Sequence, residues 1–146
     1  MKKVVLTYRD VSGNVAVESI WAEPIGMHYK VDNIPFFAPN IALNDIISVE
    51  KEEGVLHFEE LISPSGHSTI QIVMLNRKEK NRIIEEIESL NCSWEGFKDS
   101  IIALDIPATF DYRKIKEFLQ RELNNQVLDY KEACLSNQHR SEKLFD

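Results

Sequence analysis

The spacing of apolar residues changes near Ser68, and that change limits what this chain can fold into. Before it, apolar residues come in short, strand-length runs separated by turn residues; after it, such runs alternate with two stripes of helical period. The first part reads as five strands: Val4 to Tyr8, Val15 to Ala22, Tyr29 to Ile34, Asp45 to Glu50 and Val55 to Leu61. Ser12-Gly13-Asn14 marks a turn, Pro24 to Gly26 is expected to break the second strand, and Lys51 to Gly54 reads as a hairpin. Strands this short and this evenly spaced predict a small, strongly bent sheet or barrel. Ser63 to His67 leads out of it.

The second part opens with the apolar strand Thr69 to Leu75. Asn76, with Glu79 three residues on, has the form of a capping box, and Ile83, Ile84, Ile87 and Leu90 make one helical stripe ending at Asn91. Cys92 to Phe97 and Ser100 to Ile106 are strand-like, and Pro107 stops the second of them. Asp111 caps a helix with the stripe Ile115, Phe118, Leu119 and Leu123, Asn124-Asn125 ends it, and Leu128 to Leu135 closes as a strand. Strand, helix, strand, strand, helix, strand is the split βαβ order of ferredoxin-like domains. The predicted class is therefore α+β: a small β-rich, barrel-like lobe over residues 1–67 and a ferredoxin-like βαββαβ lobe over 68–136. The polar tail 137–146 is expected to fray. Both helices should pack on one face of the sheet, burying Ile83, Ile87, Ile115 and Leu119.

The most unusual segment is Val31-Asp32-Asn33-Ile34-Pro35-Phe36-Phe37. Pro35 pushes Ile34 out of helical geometry and removes a ladder donor, so a strand must end here and bury rings. Asp32 and Asn33 suit such a place because short polar side chains bond nearby backbone N–H groups. In the strand before it, Glu18, Ile20 and Ala22 share one face and Val17, Ser19 and Trp21 the other. Trp21 is expected in the core, and Glu18, on a face with two apolar residues, is either an edge residue or bonded to a specific partner, for which Asp32 and Asn33 are the candidates.

A chain of 146 residues buries roughly two thirds of its unfolded surface, enough for one core or two small packed lobes. No apolar run reaches the ~20 residues that cross a bilayer, and the start is too soon interrupted for a signal peptide, so a cytoplasmic location and no membrane partner are expected. Cys92 and Cys134 stand in no CxxC or CxxH pair, which makes buried free thiols the expectation. Before Leu75 the chain carries 5 basic and 10 acidic residues, so the first half holds most of the net charge of −7. The acidic cluster Glu50, Glu52, Glu53, Glu59 and Glu60 repels phosphates, which disfavours nucleic acid and favours a basic protein as partner.

Catalytic signals are few. Ser65-Gly66-His67-Ser68-Thr69 holds nucleophile and base types together, but adjacent strand residues point to opposite faces, so His67 is poorly placed to activate Ser68. Asp32 or Glu18 would be the carboxylates to orient His67 across the sheet. His28, His57 and His67 lack zinc spacing, the five glycines form no phosphate loop, and no metal or cofactor is expected. Glu18, Asp32, Asn33, His67 and Ser68 are the residues from which a small-molecule or hydrolytic site would be built.

Glu18 to Ala22, Val31 to Phe37, Ser65 to Thr69 and Asp129 to Cys134 together resemble DUF4265, a bacterial family of unknown function, over roughly Val4 to Ser136. Asn44-Asp45 stands where the family usually has Gly-Asp before a strand. The resemblance implies one unit of conserved length and no established reaction. Small acidic proteins without catalytic motifs are often partners of toxic effectors, so the first expectation is a non-catalytic binder, most concretely an immunity protein for a basic toxin.

Overall fold

A computed structural model describes residues 1–143. Its first five strands, β1 (Lys2–Arg9), β2 (Val15–Ile25), β3 (His28–Val31), β4 (Ile46–Glu52) and β5 (Val55–Ser63), close into a barrel in sequence order. Neighbours pair antiparallel, and a short parallel pairing of β1 with β5 closes the ring at Val4↔Leu56 and Val5↔His57. The register Val4↔Ile20 and Lys2↔Ala22 sets which side faces in. Val4, Leu6, Ile20 and Ala22 fill the interior with Val31, Ile47, Ala38 and Ile41.

That register corrects the expectation for Trp21. With Ile20 and Ala22 inside, Trp21 faces out and is 47% exposed. It lies opposite Lys3, whose ammonium sits 5.2 Å from the ring centroid. A second correction concerns Pro24, which lies within β2 opposite Tyr29 rather than ending it. The strand stops at Gly26, whose φ of 57° makes the tight turn into β3. The β4–β5 hairpin turns at Glu53-Gly54, both with positive φ, as that Gly-containing loop predicts.

The second sheet comprises β6 (Ser68–Met74), β7 (Ser93–Phe97), β8 (Ile101–Ile106) and β9 (Leu128–Cys134), in the antiparallel order β7-β8-β6-β9. Helix α1 (Lys80–Ser89) connects β6 to β7, α2 (Tyr112–Asn124) connects β8 to β9, and α3 (Asn137–Lys143) follows. Ile83 and Ile87 of α1 and Ile115, Phe118 and Leu119 of α2 join Ile70, Ile72, Ile102, Leu104 and Ile106 in one core, so both helices cover the same sheet face. Each such buried side chain contributes roughly 1.5–3 kcal/mol. Buried Glu122 ties the helices together, accepting from Arg82 at 2.7 Å while Arg121 pairs with both Glu122 and Glu86.

The helix starts differ from each other. Asp111 caps α2 through Arg113 N at 3.0 Å. Asn76 caps a 3-10 turn (Arg77–Glu79) that precedes α1, and Glu79 pairs forward with Arg82 at 2.9 Å instead of reaching back. The expected capping box is thus half formed. Fraying from Asn137 is also corrected: Asn137–Lys143 is helical because His139 is fully buried, its Nδ1 2.5 Å from Ser68 Oγ. The imidazole also packs against the Tyr112 ring (centroids 5.8 Å apart) and Arg140 donates to Leu135 O at 2.9 Å, so an otherwise polar segment is anchored. Residues 144–146 lie outside the described part of the tail.

Candidate functional site

The sheet face turned away from α1 and α2 carries Thr69 and Gln71 of β6, Asp105 of β8 and Glu95 of β7, and of these Thr69, Gln71 and Glu95 bond residues 32–45 between β3 and β4. Such a loop, packed between barrel and sheet, has backbone groups that need partners. Glu18, on the inner face of β2, supplies three: its carboxylate accepts from Phe36 N at 2.6 Å, Phe37 N at 3.0 Å and Ala38 N at 2.9 Å. Glu95 accepts from Ile34 N at 2.7 Å, and Asp45 accepts from Ala42 N at 2.9 Å and Ser65 N at 2.8 Å. Thr69 donates to Ile41 O at 3.0 Å and Gln71 to Ala38 O at 3.3 Å. Both lobes are bonded through this one segment.

Glu18 therefore finds its partner in backbone, not in Asp32 or Asn33 as the pattern predicts. A carboxylate accepts from several N–H groups at once, and Pro35 leaves the following amides, without strand partners, turned toward it. Asn33 accepts from Trp21 N at 2.6 Å, pinning the segment to β2. The Asp32 side chain is exposed beside Met1 and Trp21.

His67 has a different orienting carboxylate from either one the sequence suggested. Its Nδ1 is 3.0 Å from both oxygens of Asp105, on the strand directly across from β6. Burial raises the Asp105 pKa, nearby Asp45 raises it further, and the His67 contact partly offsets both. His67 fronts a cavity of about 430 Å³ with Asp45, Ser65, Cys134 and Arg140. Of Glu18, Asp32, Asn33, His67 and Ser68, only His67 lines it. Ser65 donates to Leu43 O at 2.8 Å and accepts from His67 N at 3.1 Å, and Ser68 is buried against His139. Burial pushes the thiol of Cys134 up to about 11 and that of Cys92 up to about 12, so both are protonated at neutral pH. Among the described residues, no group of three His, Cys, Asp or Glu is placed to hold a metal ion.

Sequence reasoning passed over Asp105, Glu95 and His139, and noted Asp45 only as the start of a strand and part of the family resemblance. The signal for Asp105 was present: a lone carboxylate inside Ile101-Ile102-Ala103-Leu104-Asp105-Ile106 must have a partner.

Across the junction, Phe36 packs against Phe97 with the rings tilted (centroids 5.5 Å apart) and Phe37 meets Phe97 edge-on at 5.7 Å. Phe36 and Phe37 border a groove of about 440 Å³ that Tyr8, Val73, Ile101 and Tyr130 help to line. On the barrel, Glu50, Glu52, Glu53, Glu59 and Glu60 are all exposed. Pairing of Ser48 with Glu60 and of Glu50 with His57 places Glu50, Glu52 and Glu60 on the outer face, with Glu53 in the turn and Glu59 at a register shift. Among the described residues none of the five forms an ion pair.

An α+β protein of two sheets joined by a bonded loop is the class this architecture defines. The chain belongs to the family described as domain of unknown function (DUF4265), whose model matches residues 18–130. It is similar to a solved structure titled "Novel crystal structure of a hypothetical protein from Neisseria gonorrhoeae", at 32% identity and a TM-score of 0.85. That similarity covers 92% of this chain and 94% of the other. A comparison with curated proteins returns no match. Among the described residues, no helix is long and apolar enough to cross a membrane.

Proposed function

We infer that this chain is a non-catalytic protein-binding module whose acidic hairpin docks a basic partner. In its most concrete form it is an immunity protein covering a basic toxin domain. One observation carries the reading: five exposed carboxylates concentrated on β4, β5 and the turn between them, with no ion pair among the described residues. Unpaired surface charge of one sign raises the encounter rate with an oppositely charged protein and leaves the fold indifferent to its removal. The commitment of Glu18, Asn33 and Asp45 to backbone N–H groups supports it, because it gives the polar junction a structural purpose. In this reading the barrel lobe (1–67) is the docking unit and a ferredoxin-like lobe (68–136), supported by the β7-β8-β6-β9 order, is its frame.

The test is charge reversal at Glu52, Glu53 and Glu59 to Lys, measured as association with the product of the neighbouring gene. Association should slow by about tenfold or more at low salt and lose most of its salt dependence, with the melting temperature unchanged. An unaltered rate and salt slope would remove the hairpin from the account.

A second reading rests on His67, which buried Asp105 orients at the edge of a cavity. It is a small-molecule or hydrolytic site with His67 as base, and Asp105 takes the orienting role that the sequence assigned to Asp32 or Glu18. Turnover of a small ester or amide, lost in His67→Ala, is its test.

A further inference from the structure

The barrel is sealed along only part of its length. β1 and β5 pair at Val4↔Leu56 and Val5↔His57, yet β1 runs on to Arg9 and β5 to Ser63. Each keeps its ladder on the far side: β1 with β2 out to Arg9↔Val15, and β5 with β4 out to Ser63↔Ile46. Past Val5 and His57 the two strands therefore part, and the edges facing each other have no strand between them. The register shift between Ser48 and Val49 supplies a cause. A bulge adds a residue to one strand and increases its local twist, which turns β5 away from β1.

The floor of this seam is apolar. A furrow of about 350 Å³ runs between the strands, with Tyr8, Ala38, Ile41, Phe58 and Leu61 among its lining residues. Ala38 and Ile41 are buried in the barrel core, so the furrow is floored but not filled. The lining segment does not pair with either strand through Asn40, whose N–H bonds Ala133 O at 2.8 Å on the other sheet. Tyr8 and Arg9 also border the aromatic groove, and Asn40 and Leu61 the cavity of His67, so the furrow adjoins both. Its rim on β5 is acidic, through exposed Glu59 and Glu60.

An unpaired strand edge beside an apolar floor is a template for another strand. We propose that the seam edge of β5, over Phe58–Ser63, receives an extended segment of a partner protein in which apolar and basic residues alternate. The period of two in a strand turns one set of side chains down onto Tyr8, Ile41 and Leu61. The other set faces out, where Glu59 and Glu60 supply the opposite charge. Backbone bonds to β5 provide affinity, and the acidic rim selects a basic segment over an acidic one. This deepens the protein-binding reading and rests on it, adding the part of the partner that is gripped and the mode of grip.

The experiment titrates isotope-labelled protein with a blocked synthetic peptide of alternating valine and lysine, and with the same peptide N-methylated at alternate residues. The plain peptide should bind saturably, shift the amides of Phe58–Ser63, and slow their hydrogen exchange. N-methylation removes several backbone bonds of roughly 0.5–1.5 kcal/mol each, so affinity should fall about tenfold or more. Glu60→Lys should weaken the plain peptide severalfold. Equal binding of both peptides, or shifts confined to the turn at Glu52 and Glu53, would overturn strand addition while leaving the acidic-hairpin reading in place. Absence of any binding overturns it as well. Failure of the Glu52, Glu53 and Glu59 reversal to slow the natural partner would sink the hairpin reading without touching the peptide result.

Discussion

Replacing Glu18 by Ala tests whether one carboxylate organises the segment that joins the two sheets. The change removes the acceptor of Phe36 N, Phe37 N and Ala38 N, bonded at 2.6, 3.0 and 2.9 Å. The Phe37 bond is exposed, so that N–H turns to water at little cost, whereas the Phe36 and Ala38 bonds are partly buried. A buried donor left without a partner costs about 1–3 kcal/mol, and hydrogen bonds to a charged group contribute about 1.5–3 kcal/mol. Because the three bonds share one carboxylate they do not add, and the expected loss is about 3–5 kcal/mol in total. That is a large share of the roughly 5–15 kcal/mol that holds a typical domain. Glu18→Gln keeps the shape but turns an NH₂ group toward a backbone N–H, so it should lose about 2 kcal/mol. Urea unfolding followed by circular dichroism reads both, as lower midpoints at an unchanged slope. Near-ultraviolet ellipticity should fall too, because Phe36 and Phe97 pack through this segment at 5.5 Å. A Glu18→Ala protein within about 1 kcal/mol of the parent would refute the reasoning, since no arrangement with three lost charge-assisted bonds is that cheap.

Trp21→Ala should cost less than about 1 kcal/mol by the same urea measurement, because the ring packs on the outside of the barrel over Lys3 rather than in its core. Asn33→Ala should cost about 1–3 kcal/mol by leaving Trp21 N without its acceptor, whereas Asp32→Ala, an exposed side chain, should stay within about 0.5 kcal/mol. Glu122 is held below its ordinary pKa of 4.5 chiefly by its bond to Arg82, so its contribution is present above that value and lost as pH falls through the folded one. Melting curves taken from neutral pH down through the carboxylate range should show Glu122→Gln less stable at neutral pH and converging on the parent in acid; a gap independent of pH would contradict the linkage.

The order of strands and helices was legible because period is a local property: alternation in Val4 to Tyr8 and the stripe Ile83, Ile87 survive in the structure as strand and helix. Facing was less legible. Trp21 and Ile20 are adjacent, and which of them enters the barrel depends on the pairing Val4↔Ile20, a long-range choice that a strand's own sequence leaves open. Glu18 could be flagged as a carboxylate needing a partner, but its partner is backbone made available by Pro35, and backbone carries no residue-type signal. Asp105 and His67 are 38 positions apart, brought within 3.0 Å only by the β6–β8 pairing. The final helix was hidden for the opposite reason: its segment is polar throughout, and it docks through long-range contacts of buried His139, bonded to Ser68 and packed against the Tyr112 ring, that its own sequence does not signal.

The most direct test mixes the purified protein with the product of its neighbouring gene and asks whether a complex forms and whether co-expression relieves toxicity. The account predicts a stoichiometric complex whose formation weakens with salt, rescue of growth by the parent protein, and full rescue by His67→Ala. It is contradicted by the absence of both complex and rescue together with turnover of a small ester or amide that His67→Ala abolishes.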